Sequence, residues 1–83
     1  GDWRKMTTEI KAPVKVVAVF DYSIRPARFK WNDRVFEIKE VTHTWRSTQG
    51  ISTIVHFSAT DGANLYELAY NATTMKWMLE AVS

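Results

Sequence analysis

Between positions 25 and 46 the chain interleaves cations with aromatic rings: Arg25, Arg28, Phe29, Lys30, Trp31, Arg34, Trp45 and Arg46. Cationic side chains contact phosphates and flat rings stack on bases, so nucleic-acid recognition could use this pattern. The candidate macromolecule-binding residues are therefore Arg25, Arg28, Lys30, Trp31, Arg34 and Arg46. The same residues have a plainer reading. Phe29 and Trp31 fall on the apolar face of a strand, Arg34 sits beside Trp31 as a cation–π neighbour, and Arg28 faces Glu37. The net charge of +2 is also modest for a nucleic-acid binder.

Catalytic and metal chemistry find less to work with. The chain has two histidines and no cysteine. Strand alternation places His43 on the core side with Val41, Trp45 and Val55, and His56 on the other face opposite Glu67. One ion cannot take both, and no tetrahedral set remains, so neither metal nor cofactor is expected. Ser58 and His56 share a face, with Glu67 across from His56, but a nucleophile needs the carboxylate behind its base and an oxyanion site. The acidic residues are scattered over turns and outward positions. Each of the three glycines belongs to a terminus or a turn, which excludes a phosphate-cradling loop. Asn71-Ala72-Thr73 matches a glycosylation sequon, but so short a pattern arises by chance. The chain reads as non-enzymatic.

The elements that must position these residues are strands. Val, Ile and Thr supply 22 of 83 residues, the aromatics bring the total to 33, and Leu occurs only three times. Such side chains suit a pleated, half-buried surface. A chain of 9.6 kDa buries close to two-thirds of its unfolded surface, enough for one core. Residues 1–39 carry nine basic and five acidic groups, whereas 40–83 carry two and four, so the charge is polarised along the chain. No apolar run reaches the ~18 residues of a membrane helix, and no secretory signal opens the chain, which points to the cytoplasm.

Period-two alternation begins after Pro13. Residues 1–12 read as a mobile or edge lead-in whose Trp3 and Ile10 dock on the body, and 13–83 as a single domain. Val14, Val16, Ala18, Phe20 and Tyr22 line one face of a first strand, and Ser23–Pro26 connects it to a second. An Asn32-Asp33 turn then sets Phe29 opposite Phe36, Ala27 opposite Ile38 and Arg28 opposite Glu37. The third strand runs on to Trp45, and its change of phase predicts a β-bulge near Lys39-Glu40. A three-residue loop ending at Gly50 pairs Trp45 with Thr53 and His43 with Val55. Asp61-Gly62 as a two-residue turn pairs Phe57 with Tyr66 and His56 with Glu67. An Asn71–Thr74 loop sets Leu68 opposite Trp77. The expected fold is all-β: a six-stranded antiparallel meander curled into a small barrel-like sheet, because a flat sheet would leave its apolar face wet.

Residues 26–45 follow the spacing P-x-x-F-x-W-x-x-R-x-F-x-I-x-E-V-x-x-x-W, carried by Pro26, Phe29, Trp31, Arg34, Phe36, Ile38, Glu40, Val41 and Trp45. This resembles a family of small bacterial all-β proteins of unknown function. Tyr66-Glu-Leu68-Ala-Tyr70 and Trp77-Met-Leu79 are similar to that family's ending. The resemblance implies a small all-β cytoplasmic protein and supplies no activity. The leading expectation is an interaction module whose strand edges or aromatic rim meet a protein partner or a second copy. The alternative is a nucleic-acid accessory domain using the basic-aromatic segment.

Overall fold

The computed structural model describes residues 7–83 of the chain. Seven strands follow one another: β1 (Thr8–Phe20), β2 (Ile24–Trp31), β3 (Arg34–Glu37), β4 (Glu40–Gln49), β5 (Ser52–Thr60), β6 (Leu65–Asn71) and β7 (Lys76–Val82). They form one antiparallel sheet in the order β3-β2-β1-β7-β6-β5-β4. β1 is the corner. Its first half pairs with β7, from Thr8↔Val82 to Val14↔Trp77, and its second half with β2, from Lys15↔Lys30 to Phe20↔Ile24. Lys11 is left-handed (φ 53°) where the β1–β7 ladder shifts, a bulge within the half of the strand that pairs with β7.

The sheet curls far enough that its two edge strands are consecutive in the chain. Ile38 donates its N–H to Ala27 in β2 (2.9 Å), and Lys39 donates to Thr60 in β5 (2.8 Å). This junction splits the predicted third strand into β3 and β4, which accounts for seven strands instead of six. The bulge expected near Lys39-Glu40 lies instead at Thr42, where the β4–β5 ladder shifts.

Inside the curl, Phe29, Val55, Phe57, Tyr66, Leu68, Tyr70, Trp77 and Leu79 are buried. Half-buried Ile10, Val14, Val16 and Ala18 of β1 complete the enclosure. Phe29 stacks on Phe36 at 5.1 Å and meets Tyr66 edge-on at 5.1 Å, so the aromatics of β2 and β3 close over β6. Residues 8–12 belong to β1 instead of a lead-in, and Ile10 packs on the core as expected. Trp3 lies outside the described residues. Phe20 and Tyr22, expected to continue the face of Val14, Val16 and Ala18, are both exposed: Tyr22 lies in the Asp21-Tyr22-Ser23 turn, while Phe20 ends β1 and still meets the buried Tyr70 edge-on at 6.1 Å.

The β2–β3 hairpin has the predicted register. Later ladders are displaced. Gly50-Ile51 forms a two-residue turn, so Trp45 pairs with His56 and not Thr53. Such a displacement by an odd number turns His43, Trp45 and Ser47 outward. The β5–β6 and β6–β7 ladders slip by an even number, so Phe57 meets Leu68, Leu68 meets Leu79, and the apolar face is kept.

The β5–β6 slip follows from a loop of four residues instead of two, capped by Asp61, and the β6–β7 slip from a four-residue loop moved one residue along, to 72–75, and capped by Asn71. Asp61 Oδ1 accepts the N–H groups of Ala63 and Asn64 (both 2.8 Å), and Tyr66 donates its hydroxyl to Oδ2 (2.7 Å). These donors hold the Asp61 carboxyl at about 2, against an ordinary 3.8. Asn71 Oδ1 likewise accepts from Thr73 and Thr74. A depressed carboxylate stabilises the fold above its unfolded pKa and loses that contribution as pH falls through the folded value. Wild-type protein is therefore expected to melt higher than Asp61→Asn at about pH 6, with the gap narrowing from about pH 4 down to about pH 2. A pH-independent gap in thermal midpoint would contradict this.

Candidate functional site

The six basic and aromatic candidates are divided between surfaces. Arg25, Arg28 and Lys30 lie on the outer face of β2, opposite Val19, Val17 and Lys15 of β1. Arg25 is tied to Asp21 (2.9 Å), whose carboxyl is held below its usual range by the Ser23 N–H first and then by Arg25. Arg28 reaches Glu37 at 3.5 Å, an exposed pair worth little. Lys15 directly faces Lys30, an unfavourable cross-strand neighbour that sequence alternation alone does not reveal. Trp31 packs on the inner side, 6.1 Å from Phe36. The Arg34 guanidinium lies 5.5 Å from the Phe36 ring, so the expected cation–π contact involves Phe36. Cations and rings thus occupy opposite faces of β2.

Arg46 stands apart, on β4, but borders a hollow shared with Arg25. β3 pairs only with Arg28–Trp31, which leaves the preceding residues of β2 uncovered along that edge, apart from the Ile38 bond to Ala27. Across from them runs the outer edge of β4. Between the two lies a groove of about 330 Å³ lined by Ile24, Arg25, Val41, Thr44, Arg46 and Val55. It is a seam in an unclosed barrel.

The two edges of the seam differ. The β2 edge carries Pro26, buried and without an N–H, beside a ladder shift and the tethered Arg25. These features block strand pairing. On β4 the bulge comes early, and residues 43–49 continue without proline, lysine or interruption, all exposed. The two-residue Gly50-Ile51 turn makes Gln49 and Ser52 a hydrogen-bonded pair. By alternation His43, Trp45 and Ser47 direct their N–H and C=O groups to β5. Thr44, Arg46 and Thr48 direct theirs away from the sheet. That edge is open.

On the outer face, His56 is opposite Trp45 and Ala69, not Glu67, which faces Ser58. The Trp45 and His56 rings stack at 5.1 Å with 4° between planes. His56 Nε2 is 2.7 Å from the Ser47 hydroxyl. The expected Ser58–His56–Glu67 row is therefore replaced by a Ser47–His56 contact, and His43 shares the outer face with His56. Ser47 was hidden from sequence reasoning because it reads as part of the turn. No group of three His, Asp or Glu residues among those described is placed to hold a metal ion.

No family model, curated protein or solved structure matches the chain. No helix among the described residues is long and apolar enough to cross a membrane.

Proposed function

We propose that the chain is a cytoplasmic, non-enzymatic binding module that accepts an extended segment of a partner protein along β4, filling the barrel seam. One observation carries the reading: of the two edges flanking the seam, β2 is blocked by Pro26 and β4 is left open over residues 43–49. Natural sheets rarely leave such an edge unguarded unless something pairs with it. An added strand would bond to the backbone of Thr44, Arg46 and Thr48. Its alternate side chains would enter the groove over Ile24, Val41 and Val55, beside the two arginines. The partner segment should therefore alternate apolar residues and carry an acidic side chain.

Selection from a displayed library of random linear peptides tests this. Enriched sequences are expected to alternate apolar residues with at least one Asp or Glu, and to lose affinity when a backbone N–H is methylated. Enrichment of helical motifs, or indifference to methylation, would contradict it.

The facing Lys15 and Lys30 favour a second reading, nucleic-acid binding on the outer face of β1 and β2. Against it, Trp31 lies on the other side of the sheet from these cations. Phosphate contacts make affinity fall steeply with salt. Low-micromolar, salt-steep oligonucleotide binding abolished by Lys15→Ala with Lys30→Ala would promote this reading.

A further inference from the structure

We infer that the outer-face groove across β5, β6 and β7 binds a short zwitterionic peptide, its carboxylate at Lys76 and its ammonium at Glu80. The groove encloses about 380 Å³, the size of a small-molecule site. Its floor includes Ile54 (8% exposed) and Ala69 (5% exposed), neither of which belongs to the core cluster. The small Ala69 lies between His56 and Met78 in the cross-strand row, which opens the hollow.

Charge decides the occupant. Lys76 and Glu80 border the groove on either side of Met78, and neither forms an ion pair with a described residue. Four residues along a strand separate them by about 13 Å at the backbone, a gap that their long, rotatable side chains are able to shorten. An extended tripeptide spans about 10 Å. A simple apolar carboxylate would satisfy Lys76 but confront Glu80, and an amine would do the reverse. A molecule with opposite charges at its ends and an apolar middle satisfies both.

The wall completes the groove. His56 borders the groove with Nε2 engaged by Ser47, while its Nδ1 is buried without a hydrogen-bond partner. That nitrogen is sealed from solvent, so the His56 ring shapes the wall and bonds nothing in the groove. This site lies on the sheet face opposite the seam and does not depend on strand addition there.

Titration calorimetry with Ala-Leu-Ala, its N-acetylated form and its C-amidated form tests the inference. The free tripeptide should bind, and each blocked form should bind at least about tenfold more weakly, as expected for loss of a charge-assisted contact. Lys76→Gln should erase the penalty of amidation only, and Glu80→Gln that of acetylation only. Both variants should melt as the wild type does, since both side chains border solvent. Thr44→Pro, which blocks the β4 edge, should leave tripeptide binding unchanged. The inference is overturned by absence of binding up to about 10 mM, by equal affinity for the three forms, or by loss of binding in Thr44→Pro. A penalty at one end only, or one that survives its paired substitution, overturns it equally.

Discussion

Phe57→Ala is expected to lower the unfolding free energy by about 3–5 kcal/mol, read as a large drop in the urea midpoint. Phe57 is 1% exposed, sits mid-strand in β5 opposite Leu68, and lies 5.5 Å from the Trp77 ring. Truncation would leave a cavity against side chains from two further strands, held by ladders on both sides and unable to collapse into it. A domain of this length has only about 5–15 kcal/mol of stability in all, so the variant should approach unfolding near 37 °C. Ile51→Ala, at a 96%-exposed turn position, is the matched control and should change almost nothing. A loss below about 1 kcal/mol for Phe57→Ala would mean that the curled sheet does not close around this ring.

Thr44→Pro should weaken binding of a strand-adding peptide by at least about tenfold while the protein stays folded. The N–H of Thr44 points away from β5, so proline removes no ladder bond within the sheet. What it removes is a donor to the incoming strand, and its ring stands where that strand must lie. One backbone hydrogen bond is worth roughly 1 kcal/mol net, and the steric obstruction adds to it. The neighbouring Trp45→Pro supplies the contrast. Its N–H faces His56 in β5, so that substitution should destabilise the protein itself. If Thr44→Pro binds as wild type does, the open edge is not where partners attach.

How much of this was legible in the sequence depended on the kind of information each residue carries. Phe29, Trp31, Phe36 and Ile38 alternate with charges, and a slip by one would have opposed Phe to charge, so the β2–β3 register followed from pairing alone. The β4 register did not, because Trp45 is the one large apolar residue of Thr42–Gln49 and reads as core, whereas it stacks on His56 on the outer face. The whole outer constellation of Trp45, Ser47 and His56 depended on that strand and was missed. At Asp61 the dipeptide Asp-Gly suggested a two-residue turn, but the carboxylate gains three donors by capping a four-residue loop. The left-handed Gly62 (φ 96°) and Gly50 (φ 60°) were readable all the same, because a turn of either length needs that freedom. The seam could not be read at all. It arises because Ile38 and Lys39 bond to different strands, a long-range consequence of the curl.

Amide hydrogen exchange of Thr44, Arg46 and Thr48, followed residue by residue with and without a selected extended peptide, tests strand acceptance most directly. In the free protein these three amides should exchange rapidly, while those of Trp45 and Ser47 are protected by β5. Saturation with the peptide should slow Thr44, Arg46 and Thr48 and leave the already protected neighbours almost unchanged. Protection that appears elsewhere, with these three amides still exchanging freely in the complex, would contradict strand addition at β4.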